Sequence, residues 1–132
     1  MTSHVFPVQV YYEDTDHSGS VYHANYLKFF ERAREHALGV DEVVRLLRED
    51  GIGFVVYRAE LTYREAAVFG DALEIHTTVT LESDYRLMFK QDARRAERLL
   101  VAGVIQLACI DRSKELAPIP PSVARRFSPS HK

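Results

Sequence analysis

The stretch Tyr11-Tyr12-Glu13-Asp14-Thr15-Asp16-His17-Ser18-Gly19-Ser20-Val21-Tyr22-His23-Ala24-Asn25-Tyr26 separates two kinds of periodicity, and its reading decides the fold. Before it, Val8, Val10 and Tyr12 alternate with Gln9 and Tyr11. That alternation predicts a first strand, with Pro7 at its start, where a missing N–H is tolerated. After it, from Ala24, the period changes. Tyr26, Phe30, Ala33 and Ala37 recur at helical spacing, Leu27, Phe29 and Leu38 widen the stripe, and Lys28, Glu31, Arg32 and Glu35 fill a narrower polar face. A helix with so much apolar circumference is expected to be largely buried. Gly39 supplies its stop. Between strand and helix, Asp14 to Ser20 is polar, contains glycine and reads as a loop.

Working outward, Asp41 to Glu49 reads as a shorter amphipathic helix with Asp41 as its N-cap and Val43, Val44 and Leu47 on its apolar side. Four strands then follow. Ile52–Arg64 is rich in Val, Phe and Tyr. Asp71–Leu81 and Tyr85–Ala93 alternate apolar and polar side chains. Leu99–Ile110 is apolar on both faces, as an internal strand would be. Gly70-Asp71, Ser83-Asp84 and Ala96-Glu97 carry turn chemistry between them. Pro118-Ile119-Pro120-Pro121 cannot join a central strand, so residues 118–132 read as a C-terminal tail, with a flexible end expected over Ser128–Lys132. The order predicts an α+β fold: a curved antiparallel sheet of about five strands wrapped around one long buried helix, in a single domain spanning 1–132.

Composition narrows the function classes. The 132 residues are 46% hydrophobic and 27% charged, an ordinary globular balance. Seventeen basic residues against 19 acidic ones leave a net charge of -2, which argues against general nucleic-acid binding. Cys109 is the one cysteine, so no internal disulfide can form. No apolar run is long enough to span a membrane, and the start of the chain lacks the pattern of a signal peptide. A cytoplasmic protein is expected.

The loop aims two acids, two histidines and a glycine at the start of the buried helix. Such an end presents unpaired N–H groups and about half a positive charge. A carbonyl or oxyanion placed there would be polarised, and a carboxylate within reach would supply a nucleophile or base. The residues alone leave blander readings open. Asp14, Thr15 or Asp16 reads equally as the cap of a turn. Asp14, Asp16, Ser18 and Gly19 imitate the opening of a calcium loop, but Asn25 stands where the closing glutamate is needed. His17 and His23 have no spacing diagnostic of zinc.

The run Tyr12-Glu13-Asp14-Thr15-Asp16, then Gly19, then Val21-Tyr22-His23-Ala24-Asn25-Tyr26 and Phe30-Glu31-Arg32-Ala33-Arg34, closely resembles the hotdog-fold acyl-CoA thioesterases. Among these it is most similar to the 4-hydroxybenzoyl-CoA thioesterase family, in the branch found alongside the bacterial Tol–Pal system. The resemblance is densest over 11–35 and continues more loosely through Phe54-Val55-Val56 and Gly70-Asp71 to about Phe127. It implies that Asp16 is the catalytic aspartate, acting as nucleophile or as base for a water. It implies that the backbone N–H of His23 meets the thioester oxygen while its side chain also contributes. Gly19 is implied to let the loop approach the substrate, and Val21 and Tyr22 to border it. Arg86 falls where relatives place a cation for the coenzyme A phosphates, with Arg58, Lys90, Arg94 and Arg95 as equal candidates. His17, Ser18 and Ser20 depart from the small residues of many relatives, which bears on acyl preference.

The resemblance thus implies an acyl-CoA thioesterase for a short-chain aliphatic or an aromatic acyl group, with no metal and no cofactor beyond the coenzyme A of the substrate. Relatives form homodimers that pair into homotetramers, with sites between two chains. Two alternatives belong to other classes: a non-hydrolytic module binding acyl-CoA or an acyl-carrier protein, and a hotdog-type dehydratase.

Overall fold

The computed structural model describes residues 2–127. The stretch expected to fray, 128–132, lies outside the described residues. The chain runs β1 (Thr2–Gln9), a 3₁₀ turn (Tyr12–Asp14), α1 (Asn25–Leu38), α2 (Val40–Arg45), a π-helical turn (Leu46–Asp50), β2 (Gly53–Tyr63), β3 (Ala72–Leu81), β4 (Arg86–Arg95), β5 (Arg98–Ile110) and α3 (Pro121–Phe127). All five strands form one antiparallel sheet in the order β1-β3-β4-β5-β2. No helix among the described residues is long and apolar enough to cross a membrane.

The period-2 pattern sets the inner face. Leu73, Ile75, Thr77 and Val79 of β3 are buried, as are Leu87, Phe89, Gln91 and Ala93 of β4. Against that face lies α1, which buries Tyr26, Phe29, Phe30, Ala33, Ala37 and Leu38. Gly103 on β5 makes the close approach possible. A Cβ there would stand 2.7 Å from Cε2 of Phe30, whose ring is fully buried. The absent side chain of β5 is therefore the seat of the helix.

One polar layer interrupts the core. Gln91 Nε2 donates to the Phe30 carbonyl (2.9 Å) and to Thr77 Oγ1 (3.1 Å), and Gln91 Oε1 accepts from Arg34 Nη1 (3.1 Å). Helix and sheet are thus hydrogen-bonded as well as packed, and each buried group of the glutamine finds a partner.

Several expectations are corrected. The first strand is displaced toward the N-terminus. It ends at Gln9, and Tyr12 leaves the sheet for the 3₁₀ turn, 76% exposed. Leu27 does not join the buried stripe; it is exposed, because the sheet covers α1 on one side only. Asp41 is not an N-cap. Gly39 ends α1 and also begins α2, leaving Asp41 and Glu42 in the first turn, where acidic side chains suit the unpaired N–H groups. The stretch after Pro118 is not only tail. Pro121 opens α3, which buries Val123 and Phe127, and Arg126 donates to the Leu38 carbonyl at the end of α1.

Gly103→Ala is expected to force the Phe30 ring out of its seat and cost about 1–3 kcal/mol of stability, measured as a lowered urea midpoint with an unchanged slope.

Candidate active site

The loop between β1 and α1 is held by its own backbone. Tyr11 N–H donates to Asp14 Oδ2 at 2.8 Å. The Asp14 carbonyl in turn accepts from Tyr22 N–H (3.0 Å) and from the Asn25 side chain (2.9 Å), which ties the turn to the first residue of α1. Beyond it, Asp16 N–H donates to Ser20 O and Gly19 N–H to Asp16 O, both at 3.0 Å, closing a tight turn. Gly19 sits at φ +85°, a region that favours glycine, and a Cβ there would meet nothing within 4 Å. In this chain the glycine is required by backbone conformation, and the space beside it is open.

Asp16 Oδ1 accepts from Ser18 Oγ (2.6 Å) and Ser18 N–H (2.9 Å). These bonds, the hydroxyl first, hold the Asp16 carboxyl below the ordinary aspartate range, and neighbouring His17 acts in the same direction. The group is a stable carboxylate at neutral pH.

The start of α1 is the electrostatic counterpart. Its N-cap is Ala24, no side chain caps it, and its first turn carries no acid. Among the described residues, the N–H groups of His23 and Ala24 donate to no acceptor. Tyr63, the last residue of β2, fixes this end by donating its hydroxyl to the His23 carbonyl at 2.9 Å. Around it Val21, His23, Tyr26, Tyr63 and Arg64 line a pocket of about 280 Å³. Burial raises the Tyr26 and Tyr63 hydroxyls above their ordinary pKa, so both stay neutral.

The site residues anticipated from sequence are only partly gathered. Val21 and His23 share this pocket. Val21 also belongs to the core, and the exposed Tyr22 ring lies against His23 at 4.6 Å. The Asp16 side chain is not part of the pocket wall; its hydrogen bonds stay within its own loop. Arg86 stands elsewhere in the chain. It opens β4 opposite Ala108, which in turn faces Val55 near the start of β2, whereas Tyr63 is at the far end of that strand. Its guanidinium lies 5.1 Å over the Tyr57 ring. Tyr63 and Arg64 were missed, since nothing in the β2 run signals which end meets the helix.

The profile of the thioesterase-like superfamily matches residues 10–127. The chain belongs to the thioesterase-like superfamily. Its fold is the hotdog fold and its enzyme class is thioester hydrolase. Over 111 residues it is 40% identical to the acyl-CoA thioesterase YbgC of Haemophilus influenzae, covering 83% of this chain and 82% of that one. To the acyl-CoA thioester hydrolase YbgC of Escherichia coli O6:H1 it is 37% identical over 125 residues, covering 92% and 93%. Among solved structures it is similar to a probable thioesterase from Bartonella henselae (31% identity, TM-score 0.84, 90% and 100% covered). A 1,4-dihydroxy-2-naphthoyl-CoA thioesterase from Synechocystis shares the fold at 24% identity (TM-score 0.88, 96% of each chain covered).

Asn25→Ala is expected to cost about 1 kcal/mol by removing the tie between loop and helix. Faster amide hydrogen exchange confined to residues 14–22 would accompany it.

Proposed function

We propose that this chain hydrolyses acyl-CoA thioesters, with Asp16 as the carboxylate and the start of α1 as the oxyanion site. The observation that carries the reading is the helix start itself: exposed N–H groups, no cap and no acid, beside a pocket lined by aromatic residues. Among the described residues the His23 and Ala24 N–H groups meet no protein acceptor, so an oxygen of a ligand placed there would find free donors. A thioester oxygen at the His23 N–H would serve, and negative charge developing on it would be stabilised by a donor fixed in advance. With Asp16 as base, the carboxylate takes a proton from water, the oxygen adds to the carbonyl carbon, and the oxyanion collapses to expel the coenzyme A thiolate. The proton then passes to the sulfur. With Asp16 as nucleophile, an acyl anhydride forms first and water cleaves it. The names borne by the Haemophilus and Escherichia relatives support acyl-CoA as the substrate class.

The reading includes a second copy of the chain. Edge strand β2 has 11 residues and no proline, and leaves Val55, Val56, Tyr57 and Tyr63 exposed. Such an edge is a template for pairing. A two-fold axis would set two β2 strands antiparallel, so that the Val55 end of one meets the Tyr63 end of the other. That arrangement would carry Arg86 toward the helix start of the opposite protomer, where a cation can meet coenzyme A phosphate by bidentate bonding.

Asp16→Asn is expected to lower kcat by about 10²–10⁴, read as thiol release from a panel of acyl-CoAs, while titration calorimetry still detects binding. Turnover at the wild-type rate would falsify the role of Asp16. Ser18→Ala removes the strongest hydrogen bond to the carboxylate, so Asp16 rises toward its ordinary pKa. The acid limb of the kcat/KM profile should therefore move to higher pH, with no change in the alkaline limb.

A further inference from the structure

Residues 64–71, which join β2 to β3, form neither helix nor strand, yet they touch both halves of the site. Ala67 is fully buried. Its N–H donates to the Tyr26 hydroxyl of α1 at 3.3 Å, and its carbonyl accepts from Val21 N–H at 2.9 Å. Beside it, Ser20 pairs with Val68 in a single antiparallel bridge. The turn that holds Asp16 closes on Ser20, so that turn hangs on residues 67 and 68. The helix is seated separately, by Phe30 on Gly103. Ala67 therefore sets how far the carboxylate stands from the helix start. A segment with no ladder of its own needs another hold, and Arg95, the last residue of β4, supplies it. Its Nη1 donates to Asp71 Oδ2 at 2.8 Å and to the Ala66 carbonyl at 3.3 Å, and its Nη2 lies 3.7 Å from Glu65 Oε1. Asp71 Oδ2 also accepts from Val68 N–H at 2.9 Å. One planar fork thus grips both ends of the segment that carries Ala67. The sequence pattern offers Arg95 equally to coenzyme A phosphates; these contacts spend it within its own chain.

We propose that Arg95 is a positioning residue for thioester hydrolysis: its fork on Asp71 and the Ala66 carbonyl fixes Ala67, and Ala67 fixes the Asp16 carboxylate opposite the start of α1. The inference rests on the thioesterase reading and uses contacts within one chain. A reacting group displaced by about 1 Å can cost on the order of 10² in rate. A part-exposed ion pair, with side chains here 34% and 19% exposed, contributes little to global stability. Loss of Arg95 is therefore felt in turnover before it is felt in folding. A lysine keeps the charge opposite Asp71 but not the fork that also reaches Ala66. Arg98 is the built-in control. Its Nε lies 3.0 and 2.9 Å from the two Glu65 oxygens, so it shares that neighbour, and among the described residues it bonds to neither Asp71 nor Ala66.

The test is steady-state hydrolysis of an acyl-CoA panel by the wild-type chain and by Arg95→Gln, Arg95→Lys and Arg98→Gln, with Arg95→Gln also combined with Asp16→Asn. Arg95→Gln is expected to lower kcat about ten-fold while KM stays within about two-fold. Arg95→Lys should fall between it and the wild type, and Arg98→Gln should keep the wild-type kcat. In the Asp16→Asn background, Arg95→Gln should change the residual rate by less than about two-fold, because no carboxylate is left to misplace. Amide hydrogen exchange should quicken at Val21 and Ala67 while the centre of β4 keeps its protection. Unchanged kcat in Arg95→Gln overturns the inference. So does a loss confined to KM, which marks a substrate contact, and so does a ten-fold loss that persists in the Asp16→Asn background. If Arg95→Gln does not fold by circular dichroism, Asp71→Asn, which keeps an acceptor for Val68 N–H, is read by the same criteria. Absence of wild-type turnover across the panel overturns the thioesterase reading itself, whereas wild-type turnover with any of the failures above removes this inference alone.

Discussion

Contact between the Phe30 ring and the bare backbone of Gly103 governs the rest of the molecule. It sets how closely α1 can approach the sheet, and through that distance it sets where the first turn of the helix stands. The Phe30 carbonyl is also an acceptor for Gln91, so one residue fixes the helix by shape and by hydrogen bond. Close packing of this kind is specific because a single extra carbon has nowhere to go. Position at the middle of the helix thereby becomes position at its tip, where Tyr63 adds a second fixed point on the His23 carbonyl.

The helix ends are treated asymmetrically. At the carbonyl end, the Arg126 side chain supplies a cation where the dipole is negative. At the amide end no side chain caps the helix and no acid stands in its first turn, although Asn25 and Tyr63 lie close by. The Asn25 side chain is spent on the loop, and Tyr63 on the carbonyl of His23 rather than on an N–H. The positive end is therefore held still and left open, and the carboxylate of Asp16 is held still by Ser18 in the adjoining turn. Each half of the proposed chemistry is built locally, without needing the other to hold its shape.

Much of this was legible in the amino-acid order because local pattern and tertiary role coincide. The 3.6 period over Tyr26–Ala37 and the 2.0 period over Leu73–Val79 are the buried faces themselves, and Gly39 ends α1 where expected. Reading failed where a tertiary contact overrides a local signal. Asp41 resembles a cap, but Gly39 serves both helices. Prolines 118, 120 and 121 read as breakers, yet Pro121 is an acceptable first helical residue and Phe127 finds a core to enter. Arg34 falls among apolar helix positions with nothing nearby in sequence to show that Gln91, on β4, would meet it. The strand register sets Arg86 at the other end of β2 from the helix start, a relation that only the pairing of the strands displays. The motif marks the loop and the helix start together, but not how the sheet distributes its charges around them.

The clasp between α3 and the end of α1 joins residues 88 positions apart in sequence. During synthesis α1 precedes all of β2 to β5 and must wait for α3 before its carbonyl end gains this cation. Until then the sheet lacks the cover that Val123 and Phe127 of α3 provide. Closure of this core consequently comes after the last strand, and a chain cut before α3 would keep an uncovered patch on an otherwise finished sheet.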